Sequence, residues 1–153
     1  MPSSSLSKRE QLQQCFNTNA AGPFVLISKL EPLLRKSSGT VRIVNVSSGA
    51  GSITNCLANK DTPLYKMPLT QYRASKAALN MVTADQHAFY HDDGWMVFAY
   101  CPGYCVSNLS EMNTAEKGAK SAAEGAKPIV DLLQGKRDKE SGTFVHENGT
   151  YPW

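Results

Sequence analysis

Val41-Arg42-Ile43-Val44-Asn45-Val46 runs straight into Ser47-Ser48-Gly49-Ala50-Gly51. A short β-branched run that ends in small, turn-forming residues reads as a buried strand of a parallel sheet leaving into a loop. Upstream, residues 6–36 carry Leu6, Leu12, Phe16, Val25, Leu26, Leu30, Leu33 and Leu34 at near-helical spacing, and Ser37-Ser38-Gly39 supplies the stop. Pro23 inside this run predicts a tight or bent turn within one long helix. Downstream, residues 52–70 hold Asn55, Asn59, Asp61, Pro63 and Pro68 and read as an irregular loop. Gln71 to about His91 reads as a helix with a small-residue face at Ala74, Ala77, Ala78 and Met81, ended by Asp92-Asp93-Gly94.

Trp95 to Cys101 is a second apolar strand, broken by Pro102-Gly103. Ala115 to Leu133 reads as a helix, with Pro128 predicting a break or a second short helix near it. Thr143-Phe144-Val145-His146 is a third short strand before Asn148-Gly149-Thr150-Tyr151-Pro152-Trp153. Alternating strands and helices predict an α/β fold, a parallel sheet of about three strands flanked by helices. No internal repeat divides the chain, so residues 1–153 are expected to form a single domain or a large piece of one.

The net charge of +3 comes from mixed Lys, Arg, Asp and Glu rather than a basic block. Without a basic stripe interleaved with aromatics, nucleic acid is not an expected partner. No apolar run approaches the ~18 residues of a membrane span, and no basic region followed by an apolar stretch opens the chain. The sequons at Asn45, Asn108 and Asn148 therefore carry no expectation of glycosylation. The four cysteines read most simply as reduced thiols in the cytoplasm.

Tyr72-Arg73-Ala74-Ser75-Lys76 holds the chemistry. A tyrosine and a lysine four apart share one helix face, so an ammonium sits one turn from a phenol. A cation at that distance favours phenolate and lowers a pKa that starts near ~10. Ser48, delivered by a strand end, can hold a substrate oxygen against the phenol. That is an acid/base site for moving a proton on a carbonyl or carbinol.

At Val-Asn-Val-Ser-Ser (44–48), at Tyr72-x-x-x-Lys76 and at the following Ala77-Ala78-Leu79-Asn80, the chain resembles the short-chain dehydrogenase/reductase family. The resemblance covers nearly the whole chain but only the C-terminal part of the family domain. It implies a truncated Rossmann-like sheet, a partial NAD(P)-binding domain over 1–153, and exchange of hydride between NADP or NAD and a small carbonyl or alcohol. The glycine-rich TGxxxGxG turn and the NNAG motif are missing. At roughly 30 residues per βαβ unit, about 90 residues are expected to precede this segment in a full member. Family members end in a similar glycine followed by Pro-Trp, so the C-terminus is expected to be complete.

The resemblance implies Asn19, Ser48, Tyr72 and Lys76 as a catalytic tetrad. Asn19 lies in an N-x-x-G segment where the family asparagine holds a water that links the lysine to solvent. Helix capping or bending by Asn19, and plain turn chemistry at Ser48, are the alternatives from the residues alone. Tyr72, Lys76, Pro102, Gly103 and Ser107 are implied on the nicotinamide end of the cofactor, with Ser107 standing where a threonine is usual. The loop 108–113 is expected to lie over the substrate. Residues 52–70 look like an insertion beside the pocket.

His87 and His91, spaced for one helix face, and the nearby Cys101 and Cys105 offer two imidazoles and two thiolates, a set that zinc can take. The cysteines bracket a Pro-Gly break and the histidines suit a helix C-terminus, so no metal is expected. Without the strands of the first half, strand 41–46 is expected to have an open edge, and the chain to be marginal or buried against a partner. The helices near 6–36 and 71–91 are the expected surface for a homo- or hetero-oligomer. Lacking its cofactor half, the segment is not expected to turn over alone, and a silent companion of full-length relatives is the alternative role.

Overall fold

The computed structural model describes residues 5–153, without the side chains of residues 63 and 64. Helix α1 (Lys8–Phe16) starts at a capping box: Ser7 Oγ accepts from Glu10 N at 3.3 Å, and Ser7 N donates to Glu10 Oε2 at 2.8 Å. A π turn at Asn17–Ala21 joins it to α2 (Gly22–Leu34). Gly22 N donates to Asn17 O, one residue further back than in an α-helix. Pro23 has no N–H to give, so the widened turn sits where an ordinary helical bond would fail anyway. The bend expected at Pro23 is this π turn.

Strand β1 (Arg42–Val46) leads through a 3-10 turn (Gly49–Gly51) into two short helices, α3 (Ile53–Ala58) and α4 (Pro63–Lys66). The irregular loop expected over 52–70 is thus largely helical. Ser52 is the reason at its start: its Oγ accepts from Asn55 N at 3.0 Å and donates to Pro152 O at 2.7 Å. Thr54 N also donates to Trp153 O at 3.1 Å. Helix α5 (Thr70–Tyr90) follows, then β2 (Met96–Tyr100).

Helix α6 (Ala122–Leu133) begins later than the expected 115, because Gly118 adopts φ +85° after a separate 3-10 turn at Ala115–Lys117. Ser121 and Glu124 form its capping box, and the helix runs through Pro128 without the expected break. Strands β3 (Phe144–His146) and β4 (Gly149–Tyr151) close the chain. β4 was not expected; it pairs antiparallel to β3, while β1, β2 and β3 are parallel in the order β1-β2-β3-β4. Among the described residues the sheet therefore has four strands rather than about three.

The core is built on β2 and β3, where Val97, Phe98, Ala99, Tyr100, Phe144 and Val145 are 0% exposed. Tyr100 donates to Gly125 O at 2.6 Å, and burial pushes its phenol up to about 12. On the other side β1 is the sheet edge, bordered by an apolar groove of about 580 Å³ lined by Leu26, Ile27, Leu30, Leu34, Val44 and Val46. Among the described residues no helix is long and apolar enough to cross a membrane.

Candidate active site

The end of β1 is fastened to α5 by buried hydrogen bonds. Asn45 Nδ2 donates to Thr83 Oγ1 at 3.0 Å and to Gln86 Oε1 at 2.8 Å. One residue pair further on, Ser47 Oγ donates to Asn80 Oδ1 at 2.6 Å. Gly51 permits the approach, because a Cβ there would stand 2.8 Å from the Lys76 carbonyl carbon. Helix α5 thus passes close against the turn that carries Ser48.

Ser47 and Ser48 therefore part company. Both border a cavity of about 300 Å³ shared with Tyr72, Cys101, Pro102, Gly103 and Ser107, but Ser47 is 3% exposed and its hydroxyl is spent on Asn80. The Ser48 hydroxyl stands on the same cavity wall as the Tyr72 phenol and favours its phenolate form. A second cavity, about 410 Å³, joins Tyr72 to Asn19, Lys76, Cys15 and Pro102. Asn19, Ser48, Tyr72 and Lys76 are thereby brought to one place, with Tyr72 on the walls of both cavities.

Two details differ from the sequence expectation. Lys76 Nζ donates to Val46 O at 2.8 Å, on the β1 edge, and lies 6.0 Å from the Tyr72 ring centroid. Burial pushes the Tyr72 phenol up despite the nearby Ser48 hydroxyl, which pulls it down. Burial likewise pulls Lys76 below its ordinary value. The ammonium beside the phenol does not set the balance; desolvation does. Asn19 reaches the site indirectly: the π turn aims its Nδ2 at Ser75 Oγ (3.0 Å), which in turn donates to Tyr72 O at 2.8 Å.

The sequence profile of the short chain dehydrogenase family matches residues 1–118. The chain belongs to that family. A short-chain dehydrogenase of Penicillium roqueforti is 35% identical over 147 residues, covering 93% of this chain and 56% of its own length. A short-chain dehydrogenase/reductase of Talaromyces stipitatus is 28% identical, covering 97% and 60%. Among solved structures, the NADPH-bound carbonyl reductase from chicken fatty liver superimposes with a TM-score of 0.81 at 25% identity, over 99% of this chain and 61% of that one. The chain thus spans little more than half the length of these curated relatives.

Within this short-chain dehydrogenase chain, Pro102, Gly103 and Ser107 form the far wall of the Ser48 cavity. Gly103 has φ +80°, a conformation costly for any other residue. Leu109, in the loop expected over the substrate, lines both cavities. That loop is tied down by Asn113 Nδ2 donating to Cys105 O at 3.0 Å. His87 stands beside Ser141, its Nδ1 3.3 Å from Ser141 Oγ, at the opposite end of the sheet from Cys101 and Cys105. Among the described residues these two histidines and two cysteines do not converge on one point. Missed by sequence reading were Asn45, Asn80, Thr83 and Gln86, whose pairing depends on how α5 crosses β1. Polar residues inside an otherwise apolar strand and helix were the available signal.

Proposed function

We propose that this chain carries the reaction site of an NAD(P)-dependent oxidoreductase that interconverts a small carbonyl and an alcohol. The observation that supports it is the Tyr72 phenol on a cavity wall shared with Ser48, its pKa pushed up by burial from an already high ordinary value. A protonated phenol suits donation to a carbonyl oxygen as the carbonyl is reduced, with the Ser48 hydroxyl holding that oxygen. In this reading Asn19 completes a proton relay to solvent, and Lys76 favours phenolate once its ammonium leaves the Val46 oxygen. Cytoplasmic reducing conditions suit its cysteines, all four of which are free thiols.

The residues present fit the nicotinamide end of the cofactor. The 410 Å³ cavity offers the Lys76 ammonium and the Asn19 amide beside the apolar Val46 and Pro102. Lys76, Tyr72 and the backbone at Pro102–Gly103 would hold that end, with Ser107 nearby. When bound, NADP or NAD supplies or accepts the hydride. The remainder of the dinucleotide has no glycine-rich turn in this sequence on which to rest its pyrophosphate.

Titration with NADPH and with NADH, followed by nicotinamide fluorescence, tests the reading. Micromolar binding is expected if a surface beyond this segment supplies the missing contacts, and Tyr72→Phe should then cost carbonyl reduction about 10²-fold or more. Absence of binding at millimolar cofactor would remove the enzyme reading for these residues. A second reading then stands, a catalytically silent partner of longer relatives. Its support is the exposure of Phe24, Val25, Leu26 and Leu33 on α2 and of Met81 and Phe89 on α5. A monodisperse monomer, alone and mixed with a full-length relative, would sink that alternative.

A further inference from the structure

β1 and β2 end side by side, and the turn after each faces Tyr72: Ser48-Gly49 after β1, Pro102-Gly103 after β2. Cys101 lies between the two turns and is 6% exposed. Its sulfur accepts the Gly49 N–H at 3.1 Å and the Gly103 N–H at 3.4 Å. Thiol sulfur is a weak acceptor. Here it nonetheless serves two backbone donors, one on each turn.

The consequence falls on Ser48. Gly49 is its next residue, and Ser48 Oγ also accepts from Ala50 N at 3.2 Å, so hydroxyl and backbone turn move as one piece. A shift of the Gly49 amide moves the hydroxyl that meets Tyr72. Cys105, four residues on, does not share this position: its thiol bonds within its own loop, to Pro102 O at 3.4 Å.

We propose that Cys101 is a positioning residue whose sulfur clamps the Ser48–Gly49 turn to the Pro102–Gly103 turn and so sets the Ser48 hydroxyl against the Tyr72 phenol. The proposal rests on reading Ser48 and Tyr72 as reaction partners, and it adds the group that holds them in register. Valine keeps an apolar γ group, with one extra methyl, and cannot accept a hydrogen bond. Serine keeps an acceptor at the same point of the side chain. The pair separates the acceptor from the packing.

The test uses the full chain labelled with ¹⁵N and with ¹³C at the tyrosine ring, Tyr72 being assigned through Tyr72→Phe. In Cys101→Val the Gly49 and Gly103 amide resonances should shift together and their hydrogen exchange rise about 2- to 10-fold, the range of one lost hydrogen bond. In the parent, Ser48→Ala should move the Tyr72 titration upward, because the hydroxyl that favours phenolate is gone. That movement should vanish in the Cys101→Val background and return in Cys101→Ser, a coupling that loss of packing alone does not produce. If Ser48→Ala moves Tyr72 equally in both backgrounds, or if the two amides ignore Cys101→Val, the clamp is overturned. Should Cys101→Val not fold, Cys101→Ala carries the same prediction. None of these signals needs cofactor, so failure of the oxidoreductase reading, seen as absent turnover, leaves a different pattern.

Discussion

The two flanks of the sheet are finished to different degrees. Where β2 meets β3, six side chains are 0% exposed and Leu132 of α6 seals them from one face. Where β1 forms the edge, Val46 is 46% exposed, and α2 has no buried residue among those described, with Leu26 at 56% and Leu33 at 66%. Arg42, Val44 and Val46 alternate with the residues whose backbone bonds reach β2, so their N–H and C=O groups face away from the sheet. Lys76 covers one of them, the Val46 oxygen. The site straddles the boundary: Ser48, Cys101 and Pro102 belong to the packed flank, Asn19 and Lys76 to the open one. The lesson is that reaction geometry can persist on one flank while the surface beside it still awaits a cover.

The largest expected effect breaks or upholds the packed flank. Phe98→Ala should cost about 3–5 kcal/mol in urea unfolding, enough to unfold a marginal chain. A loss under ~1 kcal/mol would mean that this flank is as loosely held as the other. A smaller effect sits at the junction of the two, where Arg42 of β1 donates to Asp138 at 2.8 and 2.7 Å. These bonds hold the Asp138 carboxyl below its ordinary value. A depressed carboxylate contributes stability above its unfolded pKa of ~3.9 and loses it as pH falls through the folded value. Asp138→Asn should therefore cost roughly 0.5–1 kcal/mol at pH 7 and nothing once the pH is below both values. An unchanged cost in acid would assign the effect to packing. Smallest of all, Leu26→Ala should change stability by less than ~0.5 kcal/mol, as expected for an uncovered side chain. A cost above ~1 kcal/mol that grows with protein concentration would show the open flank to be covered in solution.

The strand runs at Val41 and Trp95, the Tyr72–Lys76 spacing and Ser48 were legible because each depends on local pattern. Their neighbours were not. Helix α3 inside 52–69 starts at the Ser52 cap, and the same Oγ is fastened to Pro152, a contact between distant residues that periodicity cannot register. Pro23 announced a bend but not that the bend would be a π turn aiming Asn19 at Ser75. Pro128 announced a break that packing overrode: it is buried in α6 past the first turn, where its missing N–H forgoes one helical bond. Tyr72 and Lys76 were legible as a pair, yet which way burial tilts the phenol depends on everything packed around it. Cys101 read as a reduced thiol beside a Pro-Gly break; only the adjacency of β1 and β2 turned its sulfur into a shared acceptor.

The bond from Ser52 Oγ to Pro152 O spans 100 residues of chain. Ribosomes extend a polypeptide at about 5–20 residues per second, so the turn that presents Ser48 emerges on the order of 5–20 s before its distal anchor exists. During that interval Ser52 has only its local helix cap to make. The segment beside the serine is thus completed late in biogenesis, and premature release of the nascent chain should leave it unfastened while β1 and α5 are already synthesised.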